Sequence, residues 1–212
     1  LRYVLPLRPE DIVTGQYVRG TTADGVVHPG YLEEPGVPAD SKTATFAAAV
    51  LRVDNNRWRG VPFLMSAGKG LDSRMTEIRI HFKRRNGNLY RDIPRPQNAL
   101  VIRVQPDEAI TMNITNKVPG FGMALNSAAL DLRYAKAFSG RIADAYENLL
   151  LDVTHGERGL FIREDELAAA WNIFDPALRE AAQPEPYVFG SATGPGCARC
   201  LAAARGFDDC ND

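Results

Sequence analysis

The sequence predicts an α+β fold with a large, mainly antiparallel sheet and helices on one face of that sheet. Segments in which apolar and polar residues alternate recur through the middle of the 212-residue chain. Such alternation is typical of an antiparallel sheet with one apolar and one polar face. Two amphipathic helical segments follow these strands, and strands followed by helices favour α+β over a parallel, doubly wound fold.

The first 53 residues are predicted to contain two strands separated by a long loop. Residues 1–5 have strand composition. Residues 20–44 are rich in Gly, Pro, Asp and Ser, which predicts a loop, and so long a connection favours a binding or interface role. Residues 46–53 are almost entirely apolar, as expected for a strand buried on both faces.

Five further strands are predicted between residues 54 and 135. A turn over residues 54–60 leads into a strand over residues 61–67, with Pro62 at its start or edge. Four alternating strands follow, and their apolar sides are formed by Ile78, Ile80 and Phe82; Leu100, Ile102 and Val104; Ile110, Met112 and Ile114; and Leu130, Leu132 and Tyr134. We expect residues 46–135 to form one antiparallel sheet.

Two helices are predicted between residues 144 and 182. Asp144 and Glu147 have the spacing of a capping box. Pro176 is expected to kink or break the second helix unless it starts a new helical turn. The apolar stripes are Tyr146, Leu149, Leu150 and Val153 in the first helix and Leu167, Trp171, Phe174 and Leu178 in the second. We expect both stripes to pack on the apolar face of the sheet, which leaves its polar face as an interface with a second copy or a larger assembly.

Composition excludes several classes of protein. The chain has 25 Lys and Arg against 26 Asp and Glu, a balance that argues against a dedicated binder of nucleic acid or of an anionic membrane. No apolar run approaches the ~20 residues that span a bilayer. The length suits one domain, residues 1–212, and no boundary is apparent. Because the chain begins at Leu1 without Met, we expect a fragment or a processed chain.

The cysteine and histidine patterns predict no metal site. Cys197, Cys200 and Cys210 offer at most three zinc ligands, and residues 201–209 contain no His. We expect free thiols in a reducing compartment, with zinc binding or redox chemistry as the alternatives. No Gly-x-Gly-x-x-Gly opens a βα unit, so the chain encodes no dinucleotide-binding fold.

The strongest candidate binding site is the turn Gly68-Lys69-Gly70, with Arg74 shortly after it. A Lys between glycines can approach an anion closely, and an Arg five residues later can contact the same phosphate. The frame of a nucleotide-triphosphatase phosphate loop is absent. A solvated turn is the alternative, because charged residues at turns are commonly exposed.

A second candidate site is the polar face of the predicted sheet. Arg103 and Gln105 share that side of one strand, and Arg79 and Arg133 are predicted to lie on the same face. The pattern fits an anion or sugar site, or a solvated and ion-paired sheet face.

Several segments, in order along the chain, resemble glucose-6-phosphate dehydrogenase. They are GQY (residues 15–17), GYLEEPGVPADSKTATFAA (30–48), NRWRGVPF (56–63), GKGL (68–71), VIRVQPDE (101–108), DAYENLLLDV (144–153) and DELAAAWNIF (165–174). The resemblance runs from residue 1 to about residue 207. It implies the C-terminal α+β domain of that family, whose sheet forms the subunit interface and whose active site lies against an N-terminal Rossmann-like coenzyme domain.

The resemblance also implies roles for single residues. Lys69 and Arg74 match the family's ligands of the substrate phosphate, and Gln105 matches a residue that lines the same site. The implied reaction is the NADP-dependent oxidation of glucose 6-phosphate to 6-phosphogluconolactone in the oxidative pentose phosphate pathway. The family's general base and coenzyme-binding glycines correspond to positions before residue 1, so no catalytic residue is assigned here.

Many animal members of the family hold a second, structural NADP on this sheet. Arg79, Arg103 and Asp131 match residues of that site. Its other basic or aromatic contacts are replaced, and residues 190–195 lack its Arg; the replacements are Ser66, Met75, Thr111 and Asn113. We therefore do not expect this chain to hold a structural NADP.

Two functional hypotheses follow. In the first, the chain is part of an NADP-dependent glucose-6-phosphate dehydrogenase, either as a fragment or as one half of a split enzyme. Its partners would be glucose 6-phosphate, the N-terminal coenzyme domain, and further copies in a homodimer, tetramer or larger assembly. We expect it in the cytoplasm, with an organelle as the alternative. In the second hypothesis, the chain is a non-catalytic scaffold or assembly subunit derived from this domain.

Overall fold

A computed structural model of the chain describes residues 1–83, 93, 96–138, 145–180 and 182–204. It divides into two compact units, Leu1–Ser73 with Val153–Asp212 and Arg74–Asp152. The α+β class with mainly antiparallel strands is confirmed. The assignment of residues 1–212 to a single domain stays a prediction.

The described strands and helices follow one another in chain order. The strands are β1 (Ile12–Val18), β2 (Gly20–Thr21), β3 (Val27–His28), β4 (Phe46–Arg52), β5 (Pro62–Gly68), β6 (Thr76–His81), β7 (Ala99–Gln105), β8 (Ala109–Lys117), β9 (Leu125–Arg133) and β10 (Glu185–Val188). The α-helices are α1 (Tyr134–Ala137), α2 (Ala145–His155), α3 (Glu164–Arg179) and α4 (Gly196–Ala204).

The first unit is built on a four-stranded sheet in the order β10-β1-β4-β5. β4 pairs antiparallel with both β1 and β5, whereas β10 pairs parallel with β1. The register places Tyr17 beside Tyr187 and Gly15 beside Phe46. The last described strand is thereby brought next to the first.

The second unit is built on the antiparallel sheet β6-β7-β8-β9. The predicted alternation is confirmed by the register, in which apolar side chains are cross-strand neighbours. One such row is Ile80, Leu100, Met112 and Leu130, and the next is Ile78, Ile102, Ile110 and Leu132. Cross-strand pairs of this kind are the unit of stabilisation in a sheet.

The prediction of one sheet over residues 46–135 is wrong. Strands β4 and β5 pair within the first sheet, and β6 to β9 form the second. The chain turns after β5 at Gly70, which has a φ of 59°, and Leu71 then forms a bridge with Ser191. The alternating pattern identifies strands and their faces, but it does not specify which strands pair.

Burial on both faces of β4, predicted from its apolar run, is confirmed. Phe46, Ala48 and Val50 pack with residues of β1, β10 and α4. Ala49, which points to the other face, packs with Leu7 and with Ile173 and Ala177 of α3. Two helices therefore lie on opposite faces of the first sheet, and α4 is outside the region where helices were predicted.

Both helices predicted between residues 144 and 182 are present as α2 and α3, and α3 continues through Pro176 to Arg179. The predicted stripe of α3 is wrong in part. Ile173 and Ala177 are buried, and Phe174 packs against them. Three stripe residues are instead exposed, namely Leu167 (50%), Trp171 (57%) and Leu178 (44%). The small Ala177 allows α3 to approach β4 closely, which the larger side chains would prevent.

The apolar stripe of α2 is largely exposed as well. Tyr146, Leu150 and Val153 are 76%, 68% and 62% exposed. The expected packing of this stripe on the apolar face of the sheet is therefore wrong for the described residues. Asp144, the predicted cap, lies outside the described residues, and α2 begins at Ala145.

The two earliest predictions have different outcomes. The strand over residues 1–5 is wrong: only an isolated bridge between Val4 and Val53 forms there, since Pro6 has no N–H to continue a ladder. The loop over residues 20–44 is confirmed apart from β2, β3 and a short 3-10 helix at Tyr31–Glu33. Gln16 holds this loop by donating hydrogen bonds of 3.0 Å to the carbonyls of Ser41 and Thr43.

Among the described residues, no helix is both long and apolar enough to span a membrane.

Candidate functional site

The turn that carries Lys69 is held by backbone hydrogen bonds on both sides. Lys69 follows directly on β5, and its N–H donates to the carbonyl of Thr45 at 2.9 Å. Its carbonyl accepts a hydrogen bond of 2.7 Å from the hydroxyl of Tyr187. The carbonyl of Gly70 accepts one of 2.7 Å from the N–H of Gly190. The turn is thus fixed between β4 and the chain that follows β10.

The glycine after Lys69 is required by both conformation and space. With a φ of 59°, Gly70 is in the left-handed region that side chains disfavour. A Cβ at this position would lie 2.6 Å from a ring carbon of Phe189. The predicted turn is confirmed, and the ring of Phe189 lies against Gly70.

The Lys69 side chain is exposed, and the described residues give its ammonium group no hydrogen bond or ion pair. A cation on a fixed backbone that has no counter-ion among the described residues is suited to an external anion. The binding of an anion by Lys69 stays a prediction.

Arg74 and Gln105 lie in the second unit. Arg74 is exposed and precedes β6 by two residues. Gln105 ends β7 opposite Thr76, and its Nε2 donates to the Thr76 hydroxyl at 3.2 Å. The structure thus brings Gln105 beside the start of β6. Lys69 and Arg74 are five positions apart in the sequence. A shared role of Lys69, Arg74 and Gln105 in binding the substrate stays a prediction.

The polar face of the second sheet is ion-paired. The register confirms that Arg79, Arg103 and Arg133 share this face with Asp131. Arg79 pairs with Glu77 at 2.9 Å, and Arg133 pairs with Asp131 at 2.6 Å. The hydrogen bond from Arg133 lowers the pKa of the Asp131 carboxyl. Of the two interpretations that the sequence leaves open, an ion-paired sheet face therefore describes Arg79, Asp131 and Arg133.

The cysteines described by the structure are free thiols. Cys197 and Cys200 lie on α4, and neither is in a disulfide. The described part of the chain contains no group of three or more His, Cys, Asp or Glu that could hold a metal ion. Cys210 lies outside the described residues.

Comparison with known proteins assigns a family. Residues 1–208 match the family model described as glucose-6-phosphate dehydrogenase, C-terminal domain. The chain belongs to this family. It is 52% identical over 212 residues to the chloroplastic glucose-6-phosphate 1-dehydrogenase of Nicotiana tabacum, a match that covers 96% of this chain and 35% of that protein.

Further members are similar over most of the chain. The glucose-6-phosphate 1-dehydrogenase of Dictyostelium discoideum is 44% identical, covering 98% of this chain and 42% of that protein. The cytoplasmic isoform of Solanum tuberosum is 44% identical over 196 residues, covering 90% of this chain and 36% of that protein. The chain thus spans between a third and about two fifths of the length of these relatives.

Solved structures of glucose-6-phosphate dehydrogenases have the same fold. One, in complex with its substrate glucose 6-phosphate, has a TM-score of 0.84 and 38% identity over 95% of this chain and 42% of that chain. The enzyme from Mycobacterium avium has a TM-score of 0.78 and 33% identity over 96% of this chain and 41% of that chain.

The residues that match the structural NADP site of some glucose-6-phosphate dehydrogenases already have protein partners here. The charge of Arg79 is balanced by Glu77, and Asp131 is bound by Arg133. Thr111, where a basic or aromatic contact would be needed, donates its hydroxyl to Asp131 at 3.0 Å. A dinucleotide phosphate would have to compete with these carboxylates for the same guanidinium groups.

Sequence reasoning missed the residues that hold the Lys69 turn. Thr45 and Tyr187 are separated by 142 positions and meet only because β10 pairs parallel with β1. Thr45 lies within the segment that resembles the family, but no spacing links it to Tyr187. Tyrosines are common in the cores of proteins, so the sequence around Tyr187 does not predict that its hydroxyl contacts the Lys69 turn.

Proposed function

We propose that this chain is the C-terminal domain of an NADP-dependent glucose-6-phosphate dehydrogenase and supplies part of the sugar-phosphate site. The observation that carries the proposal is the exposed Lys69 on its fixed turn, in a chain that belongs to this family over residues 1–208. The structure in complex with glucose 6-phosphate shares 38% identity with this chain.

The chemistry of the three proposed ligands matches a sugar phosphate. A phosphate offers several acceptor oxygens, and Lys69 supplies a point charge whereas Arg74 supplies a planar fork of donors. Both side chains are exposed. Gln105 keeps an amide oxygen that can accept a hydrogen bond from a sugar hydroxyl. Lys69 and Arg74 would bind the phosphate end of the substrate, and Gln105 would line the same site.

The chemical step depends on groups outside these 212 residues. Oxidation of the C1 hydroxyl requires a base at that oxygen and a nicotinamide that accepts hydride. The sequence contains no dinucleotide-binding glycine motif. The role of Lys69 and Arg74 is therefore to bind and orient the phosphate, with Gln105 lining the same site, while the N-terminal coenzyme domain supplies NADP and the base.

The proposed partners are that coenzyme domain and further copies of the protein in a homodimer or tetramer. For location, we favour an organelle over the cytoplasm that the sequence alone suggests. Relatives named chloroplastic share 50% to 52% identity with this chain, and the isoform named cytoplasmic shares 44%. A fluorescent fusion of the complete reading frame would locate the protein.

The scaffold hypothesis receives less support. Proteins named glucose-6-phosphate 1-dehydrogenase match 90% or more of the chain, and the segment around Lys69 keeps the turn geometry that an anion ligand needs.

The proposal is tested by assaying NADP reduction with glucose 6-phosphate. We expect turnover from the complete polypeptide and none above buffer background from this chain alone. Glucose without phosphate should be a poor substrate at equal concentration. A complete polypeptide that binds neither glucose 6-phosphate nor NADP would favour the scaffold hypothesis, and turnover by this chain alone would show that the assignment of the base and coenzyme to another domain is wrong.

A further inference from the structure

A continuous chain of hydrogen bonds runs from the buried core to the backbone of Lys69. The N–H of Tyr17 donates to the hydroxyl oxygen of Thr45 at 3.0 Å. The hydroxyls of Thr45 and Tyr187 are 2.9 Å apart, and the Tyr187 hydroxyl lies 2.7 Å from the carbonyl of Lys69. Tyr187 has one hydroxyl proton, which goes to the shorter contact with Lys69, so Thr45 donates to Tyr187.

These groups are withdrawn from water. Tyr187 is 4% exposed and Thr45 is 8% exposed. Burial raises the pKa of the Tyr187 hydroxyl, which therefore stays protonated and remains a donor. Loss of the Tyr187 hydroxyl would remove the donor that this carbonyl of Lys69 has within the protein.

The hydroxyl of Tyr187 has a separate role from its ring. The ring fills the core, with edge-to-face contacts to Phe46 at 5.7 Å and to Tyr17 at 6.3 Å between ring centroids. A phenylalanine would fill the same space. The hydroxyl donates to the carbonyl of Lys69, the exposed cation proposed to bind phosphate.

We propose that Tyr187 is a positioning residue for glucose 6-phosphate, acting through Lys69, with Thr45 orienting the Tyr187 hydroxyl. This inference rests on the proposed function. A lysine side chain has four rotatable bonds, and a fixed backbone limits the volume in which its ammonium group moves. The hydrogen bond keeps the Lys69 backbone in the geometry that directs the ammonium group to the phosphate.

The test uses Tyr187→Phe and Thr45→Val in the complete dehydrogenase. We expect the KM for glucose 6-phosphate to rise roughly three- to tenfold in Tyr187→Phe, which matches the typical net contribution of one hydrogen bond. The inhibition constant of inorganic phosphate, competing with glucose 6-phosphate, should rise by a similar factor. The KM for NADP should stay within twofold. Thr45→Val should act in the same direction, and it gives a second measurement if Tyr187→Phe folds poorly.

Tyr17→Phe is the matched control. Its ring belongs to the same buried cluster, but its hydroxyl donates to Glu34 at 3.3 Å rather than to the turn. We expect the KM for glucose 6-phosphate to stay within twofold in this variant. An equal rise in Tyr17→Phe and Tyr187→Phe, or a parallel rise in the KM for NADP, would indicate general damage to the core and would overturn the inference.

A double-mutant cycle with Lys69→Ala separates this inference from the proposed function. If Tyr187 acts through Lys69, then Tyr187→Phe should change the KM for glucose 6-phosphate by less than twofold once Lys69 is Ala. If Lys69→Ala raises this KM but Tyr187→Phe and Thr45→Val do not, only the positioning role is overturned. If Lys69→Ala has no effect, the proposed phosphate site is wrong and the positioning role is wrong with it.

Discussion

At the scale of single residues, burial decides which polar groups the structure depends on. The carboxylate of Asp11 is fully buried and accepts two hydrogen bonds from Arg52, one of them at 2.9 Å. The carboxylate of Asp54 makes a similar contact with Arg59 at 2.7 Å, but both side chains are more than half exposed. The two pairs have the same chemistry and differ in their surroundings.

This difference predicts the stability of two variants. Asp11→Ala leaves the guanidinium of Arg52 partly buried without its partner, and we expect a loss of about 2–4 kcal/mol in the free energy of unfolding. Asp54→Ala removes an exposed ion pair, and we expect a loss of less than about 1 kcal/mol in the free energy of unfolding. Urea unfolding followed by circular dichroism measures both. Equal losses in the two variants would contradict the importance assigned to burial.

The two described cysteines are predicted to differ in reactivity. Burial, with a further contribution from Glu185, raises the pKa of the Cys197 thiol to about 12. Because the thiolate is the reactive form, Cys197 should react slowly at pH 8 and faster as the pH rises toward 12. Cys200 is exposed. Mass spectrometry after brief alkylation at pH 8 should find Cys200 labelled first, and equal labelling would show that Cys197 is more accessible than the structure indicates.

At the scale of elements, the sequence predicts strands and faces better than partners. The alternation in β6 to β9 gives the correct faces because the side-chain period of a strand is fixed at two residues. The pairing of β10 with β1 involves contacts more than 160 positions apart, such as Tyr17 with Tyr187, and no local pattern specifies it. For α3, the largest apolar residues suggest the wrong stripe, because close helix–sheet packing selects the small Ala177.

The turn after β5 gives a prediction at this scale. Gly70→Ala introduces a side chain in the left-handed region and a contact of 2.6 Å with Phe189. We expect it to reduce the free energy of unfolding by about 2–4 kcal/mol through backbone strain and overpacking. Gly60 is the matched control, since its φ is 79° and a Cβ there would meet no atom within 4 Å.

Gly60→Ala should therefore reduce the free energy of unfolding by about 1–2 kcal/mol, the contribution of backbone strain alone. Urea unfolding of the two variants side by side gives the difference that is due to Phe189. If both variants lose the same free energy, the ring of Phe189 does not restrict the turn.

At the scale of the whole molecule, the candidate site depends on information that sequence patterns carry only in part. A lysine between two glycines predicts a turn from which a cation can approach an anion closely, and the structure confirms the turn around Lys69. The family resemblance adds the identity of the ligand, which spacing alone leaves open between an anion and solvent. The contribution of Tyr187 could not be predicted, because it arises from a strand pairing between distant parts of the chain.

Association of the complete protein is a further prediction at this scale. We expect a homodimer or larger assembly with the polar face of the second sheet in the interface, burying on the order of 1,200 Å² or more. Arg103 is exposed on that face, and Arg103→Glu should weaken self-association at least about tenfold through like-charge contacts with carboxylates. Arg179→Glu, at the end of α3, is the control. Sedimentation of the unmodified protein as a monomer at high concentration would contradict the interface.

The most direct test of the central claim, that this chain forms the phosphate side of the substrate site, is the KM for glucose 6-phosphate in Lys69→Ala and Arg74→Ala variants of the complete dehydrogenase. Loss of one charge-assisted hydrogen bond, roughly 1.5–3 kcal/mol, predicts a rise of about 10- to 150-fold in each variant. The KM for NADP should remain within twofold, and Lys42→Ala, which removes another exposed lysine, should leave both constants unchanged. A KM for glucose 6-phosphate within twofold of the parent in both variants would contradict the claim.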